Sequence, residues 1–222
     1  MQFPRTSAVY LIMVAASSCI AIAHVRAQIV TVQPFVGIQV AEASPREGDL
    51  PIPRTYLQTI AVRSDGSIAT VSKWDRSAGG PRYPRDVIDA TAKHHISVDP
   101  VTQSILFRAY NDVQTIGRYS CEGSSVGQME GFDVVFLEST ETLKDGSSIT
   151  EKEWKAPKLG CYSLALELTE TRRNGEVIGN TKQSLVHIKL GEPDPWYFAI
   201  PTNYTTRTPD EWRVLMSGLL QK

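Results

Sequence analysis

Along most of this chain apolar and polar residues alternate singly, the period of a strand with one face covered, and Gly-containing turns interrupt the alternation. "RTYLQTIAVR" and "SIATVSKW" flank Asp65-Gly66, a dipeptide suited to a two-residue type I′ turn. That turn sets Val62 opposite Ala69 and Ile60 opposite Val71, on one apolar face. Short strands are expected around "RDVIDA", "HHISVD" and "SILFRAY", broken by Pro100 and "NDVQTIG". "IVTVQPFVGIQVAEA" also reads as strand, and "EGFDVVFLE" and "SSITEKEWKA" read as another pair of undefined register.

The most informative hairpin turns at Asn174-Gly175. Folding about it pairs Arg173 with Glu176 and Glu167 with Lys182 on a wet face. The opposite face collects Tyr162, Leu164, Leu166, Leu168 and Leu185, with His187 across from Tyr162. Arms of this length suit a curved, wrapping sheet. One helix signal is clear: Thr208 and Glu211 form a capping box with Pro209 at the first helical position, and Trp212, Leu215, Met216 and Leu219 share a face. The predicted fold is mainly β, a curved antiparallel sheet, half-barrel-like, with a short C-terminal helix.

The N-terminus has a different pattern. Arg5 precedes the apolar run "AVYLIMVAASSCIAIA", and Val25 and Ala27 stand at the −3 and −1 positions of a cleavage site. Residues 1–27 read as a secretory signal, leaving 28–222 as one β-rich domain, exported to the periplasm or beyond. The alternative is a lipoprotein anchored through Cys19. No later segment is long and apolar enough for a spanning helix.

Charge is nearly balanced, with 23 basic and 24 acidic residues, and the signal takes two of the basic ones with it. No basic patch stands out, which argues against nucleic acid as a partner. Cys121 and Cys161 remain after cleavage, and an even pair in an oxidising compartment favours a disulfide over two buried thiols. No His flanks either at zinc-ligand spacing, so neither a metal nor another cofactor is expected.

Catalytic signals are weak. Gly123-Ser124-Ser125-Val126-Gly127 matches G-x-S-x-G, but β-prone sequence follows where a nucleophile elbow needs a helix. His94 and His95 are adjacent and point to opposite faces of a strand. His187 is readable as a general base in a pocket or as a histidine packed on tyrosine at the sheet rim. In "PDPWYFAIP" the prolines fix an irregular segment, and Trp196 and Phe198 would bury together if it is extended. With Pro201, these residues are expected to form a structural clasp.

"EKEWKAPKLGCYSLAL", a polar hairpin and "HIKLGEPDPWYFAIPTNY" together resemble a group of uncharacterised exported bacterial proteins. The carriers of the resemblance are Trp154, Pro157, Leu159, Gly191 to Pro195, Phe198 and Pro201. More distantly, the order of long antiparallel strands is similar to the lipoprotein-carrier (LolA/LolB-like) superfamily. That resemblance implies a half-barrel whose apolar concavity receives acyl chains. The chain departs from the superfamily at its N-terminus, which reads as strand where those proteins have an amphipathic helix. The resulting expectation is a non-enzymatic exported β-domain that binds an apolar, acyl- or lipid-type ligand or an envelope protein. Two alternatives stay open: a structural or protein-interaction module whose helix fills the concavity, and a hydrolase using Ser125 or His187.

Overall fold

The computed structural model describes residues 32–44, 55–72, 84–109, 121 and 123–220. The signal reading over 1–27, Cys19 and "NDVQTIG" lie outside the described residues. Twelve strands form one sheet: β1 (Phe35–Ala43), β2 (Thr55–Val62), β3 (Ile68–Ser72), β4 (Arg85–Asp89), β5 (His94–Asp99), β6 (Ser104–Ala109), β7 (Ser125–Met129), β8 (Phe132–Thr142), β9 (Ser148–Ala156), β10 (Tyr162–Thr171), β11 (Val177–Leu190) and β12 (Thr205–Thr206). Among the described residues one α-helix, α1 (Pro209–Leu220), follows. The sheet order is β12-β6-β5-β4-β3-β2-β1-β11-β10-β9-β8-β7, and the sheet is curved and open. Every neighbour is antiparallel except β12 and β6.

The order is that of a meander whose first and eleventh strands have paired. β1 and β11 meet in the middle, and the open seam falls between β6 and β7, which are neighbours in sequence. β12 covers the β6 side of that seam. The Thr205 and Arg207 N–H groups donate to the Gln103 and Ile105 carbonyls at 2.8 and 2.7 Å, so the ladder of β6 is not left bare.

Three hairpins share one turn chemistry that the two-residue reading missed. In the first, the Arg63 N–H donates to the Ser67 carbonyl and the Gly66 N–H to the Arg63 carbonyl, closing a three-residue loop. Gly66 has φ 84°, and the Ser67 N–H also donates to Asp65 Oδ1 at 2.8 Å. The same bonds recur around Asp145-Gly146 and Asn174-Gly175. The extra loop residue shifts the register by one. Val62 therefore faces Ile68, and Ala61 faces Ala69. A one-residue slip moves a strand's side chains to the other face, so Ala69 and Val71 part company with Ile60 and Val62.

Two cores result, one on each side of the sheet. Phe35, Ile60, Val62, Phe132, Val134, Leu159, Leu164 and Leu185 pack together in the first. Ala61, Ala69, Val87, Ile96, Val98, Ile105 and Phe198 form the second. The second core is closed by the segment that leaves β11 and crosses β1 to β6 to reach β12.

At Asn174-Gly175 the three-residue loop places Arg172, not Arg173, against Glu176, with an ion pair of 2.9 Å. A bulge between Glu170 and Thr171 then restores the expected register, and Glu167 pairs with Lys182 at 3.1 Å. The helix starts as its sequence dictates: the Thr208 N–H donates to Glu211 Oε2 and the Glu211 N–H to the Thr208 hydroxyl. Trp212, Leu215 and Met216 are half-buried, and Val214 is exposed. The side chain of Leu219 lies outside the described residues.

Candidate functional site

Strand alternation and register divide the long strands into two dissimilar faces. On one, Glu42, Lys182, Glu167, Lys152 and Glu138 form a single row across β1, β11, β10, β9 and β8. Signs alternate along that row, with ion pairs of 3.1 Å for Lys182–Glu167 and 3.8 Å for Lys152–Glu138. On the other face, Leu166 lies between Glu153 and Gln183, and Leu168 between Glu151 and Thr181.

That second face holds a cavity of ≈ 420 Å³. Its floor is Ile68, Tyr162, Leu164, Leu166 and Leu185. Leu185 lies flat because β1 has Gly37 beside it; a Cβ there would meet Leu185 Cδ1 at 2.9 Å. Phe35 supports the floor edge-on to Tyr162, 5.3 Å between ring centroids. Burial pushes the Tyr162 phenol well above its usual range, so it stays neutral.

The walls are polar. Gln39 and Gln183 bridge β1 and β11 by an amide hydrogen bond of 2.9 Å. On β9, Lys155 is 8% exposed and contacts Glu153 at 2.7 Å. The Ser163 hydroxyl donates to the same carboxylate at 2.6 Å. Glu151 lines the cavity one strand period away. A volume of this size falls in the range of small-ligand sites, and an apolar floor with a few fixed polar groups is their usual construction.

Of the predicted apolar face, Tyr162, Leu164, Leu166 and Leu185 line this cavity, and Leu168 lies further along β10. His187 does not join them. It is exposed, at φ 55°, in a bulge that offsets β11 from β1 between Val36 and Ile38. Its N–H donates to Glu130 Oε2 at 3.1 Å, a partner distant in sequence that the strand pattern could not reveal. No described residue of α1 lines the cavity. Among the described residues, a hollow of ≈ 460 Å³ beside α1 is bounded by Arg207 and four helix residues.

The other singled-out residues take structural positions. Ser125 opens β7, and its hydroxyl donates to the Gly127 carbonyl at 3.2 Å. His95 pairs with Asp86 at 3.1 Å while His94 lies edge-on to Phe107. Cys121 and Cys161 are joined by a disulfide. Among the described residues no group of three or more His, Cys, Asp or Glu comes together to hold a metal. No described helix is long and apolar enough to cross a membrane.

In "PDPWYFAIP", a 3-10 turn at Pro195–Tyr197 replaces the expected extended segment. Asp194 caps it by accepting the Trp196 N–H at 3.0 Å. The turn separates the two aromatics that an extended chain would bury together. Phe198 goes in, 8% exposed, while Trp196 stays 48% exposed and stacks on Tyr197. Pro201 is half-buried. The Arg85 guanidinium donates to the Trp196 and Ala199 carbonyls and ties the crossing segment to β4.

No family model matches the sequence, and neither does any curated protein. Among solved structures, the chain is similar to an uncharacterised conserved protein from Thermus thermophilus, at 9% identity and TM-score 0.43, over 81% of this chain and 92% of that one. It is distantly similar to a LolA superfamily protein from Nitrosomonas europaea, at 8% identity and TM-score 0.37, over 76% of this chain and 90% of that one.

Proposed function

We propose that this chain is an exported, non-enzymatic β-domain that shelters the hydrocarbon part of an acyl-type amphipathic ligand. The observation that carries the reading is the cavity between β1, β9, β10 and β11. It has five apolar floor residues, polar walls, and no described residue of the terminal helix across it. Each methylene moved from water onto such a floor gains about 0.8 kcal/mol. A chain of moderate length would therefore bind at micromolar concentration after the losses of association. Export is supported by the sequence of residues 1–27 and by the disulfide.

Native mass spectrometry of protein purified from the periplasm tests the reading. The expected result is a fraction carrying an acyl-chain mass, lost in Leu166→Arg, which places a charge on the floor. A bare mass, together with no displacement of a bound fluorescent acyl probe by alkyl-chain ligands, would overturn it.

A further inference from the structure

The two faces of β8 to β11 carry charge differently. On the face away from the cavity Lys182 and Lys152 each sit between carboxylates in the alternating row. On the cavity face of β9 the sequence of charges is Glu151, Glu153, Lys155. Lys155 is taken up by Glu153, whose other hydrogen bond comes from Ser163. Glu151 is left over. No described residue forms an ion pair with it, and its cross-strand neighbours are Ser139 and Leu168. Glu141 follows on the same face by register.

We infer that the ligand carries a cationic head group, an ammonium or a quaternary ammonium, which Glu151 receives at the cavity mouth while the chain lies over Leu166 and Leu185. This rests on the acyl-type reading above and narrows it. An anionic head would meet an uncompensated carboxylate, and the only lysine among the described lining residues is already engaged. A cation would find one carboxylate without a partner, next to a low-dielectric floor where the attraction is stronger than in bulk water.

Three ligands with the same decyl chain, each below its micelle concentration, separate the possibilities: decyltrimethylammonium, decyl maltoside and decanoate, titrated into the full mature protein at about pH 7. The cation should bind on the order of tenfold more tightly than decanoate, with the neutral ligand between. Glu151→Gln should abolish that preference. Glu138→Gln, on the opposite face, should preserve it. Decanoate binding as tightly as the cation or more so would overturn the head-group assignment while leaving the acyl-type reading standing. A preference that survives Glu151→Gln would overturn the role of Glu151. If none of the three binds, the acyl-type reading itself fails, and this inference with it.

Discussion

The guanidinium of Arg63 lies over the ring of Phe198, 4.0 Å from its centroid. Arg63 ends β2's hairpin arm and Phe198 lies in the segment that crosses from β11 to the seam, so the contact joins the first half of the sheet to the C-terminus. Phe198 also packs with Ala61, Ala69 and Val87. Its ring is therefore held by apolar burial below and a cation above.

Phe198→Ala should destabilise the protein by about 3–5 kcal/mol, a large part of a total of about 5–15. Trp196→Ala should cost about 1 kcal/mol, because that ring remains half exposed. Thermal unfolding checks the contrast, and equal losses would contradict it. Hydrogen exchange at the Thr205 and Arg207 amides should accelerate in Phe198→Ala, since β12 is delivered to β6 by this segment.

Much of this architecture was legible in sequence because it depends on local chemistry. Asp65-Gly66 and Asn174-Gly175 mark turns, Thr208 and Glu211 mark a helix start, and Glu167 opposite Lys182 follows from pattern alone. Turn length was not legible, since Asp-Gly fits a loop of two or three residues equally well. The one-residue difference decided which face receives Ala69 and Val71. The leucines of β10 announced an apolar floor, whereas the leftover charge of Glu151 became visible only once register assigned Lys152 to one face and Lys155 to the other. Non-local partners were out of reach: Glu130 capping the bulge at His187, and Arg85 holding two carbonyls of the C-terminal segment.

The disulfide between Cys121 and Cys161 closes a loop with a sequence separation of 40. On the chain-entropy model it removes about 4 kcal/mol of freedom from the unfolded state. Thiol titration of the denatured, unreduced mature protein should find no free thiol. Reduction should lower the denaturant midpoint with little change in the cavity's ligand preference, because only Cys161 touches the lining. Two titratable thiols would refute the pairing.

Asp86 accepts the Ser97 hydroxyl at 2.6 Å and pairs with His95 at 3.1 Å. Burial alone would raise its carboxyl. The hydrogen bonds from His95 and Ser97 and the charges of His95 and Arg108 outweigh burial and hold it below the ordinary value. A depressed folded pKa contributes stability above the unfolded value, about 3.9, and loses it as pH falls through the folded one. Asp86→Asn should therefore lower the melting temperature at neutral pH, and the gap should close below about pH 4. The side chain is half exposed, so the gap should be small and sensitive to salt. A gap that stays constant down to about pH 2.5 would show that the loss comes from packing.

Lys155 and Glu153 give the sharpest test of the cavity wall. Their contact is 2.7 Å, with side chains 10% and 20% exposed. Removing one member of a buried pair leaves the other desolvated without its counter-charge, which costs up to about 3–5 kcal/mol. Glu153 keeps the Ser163 hydroxyl and some water, so Lys155→Met should cost less, about 2 kcal/mol. Changing both members to apolar residues of similar size is often neutral. The double variant Lys155→Met with Glu153→Leu should thus recover most of the loss, giving a coupling of about 2 kcal/mol in a double-mutant cycle. A double variant no more stable than Lys155→Met alone would show that the two side chains are not coupled.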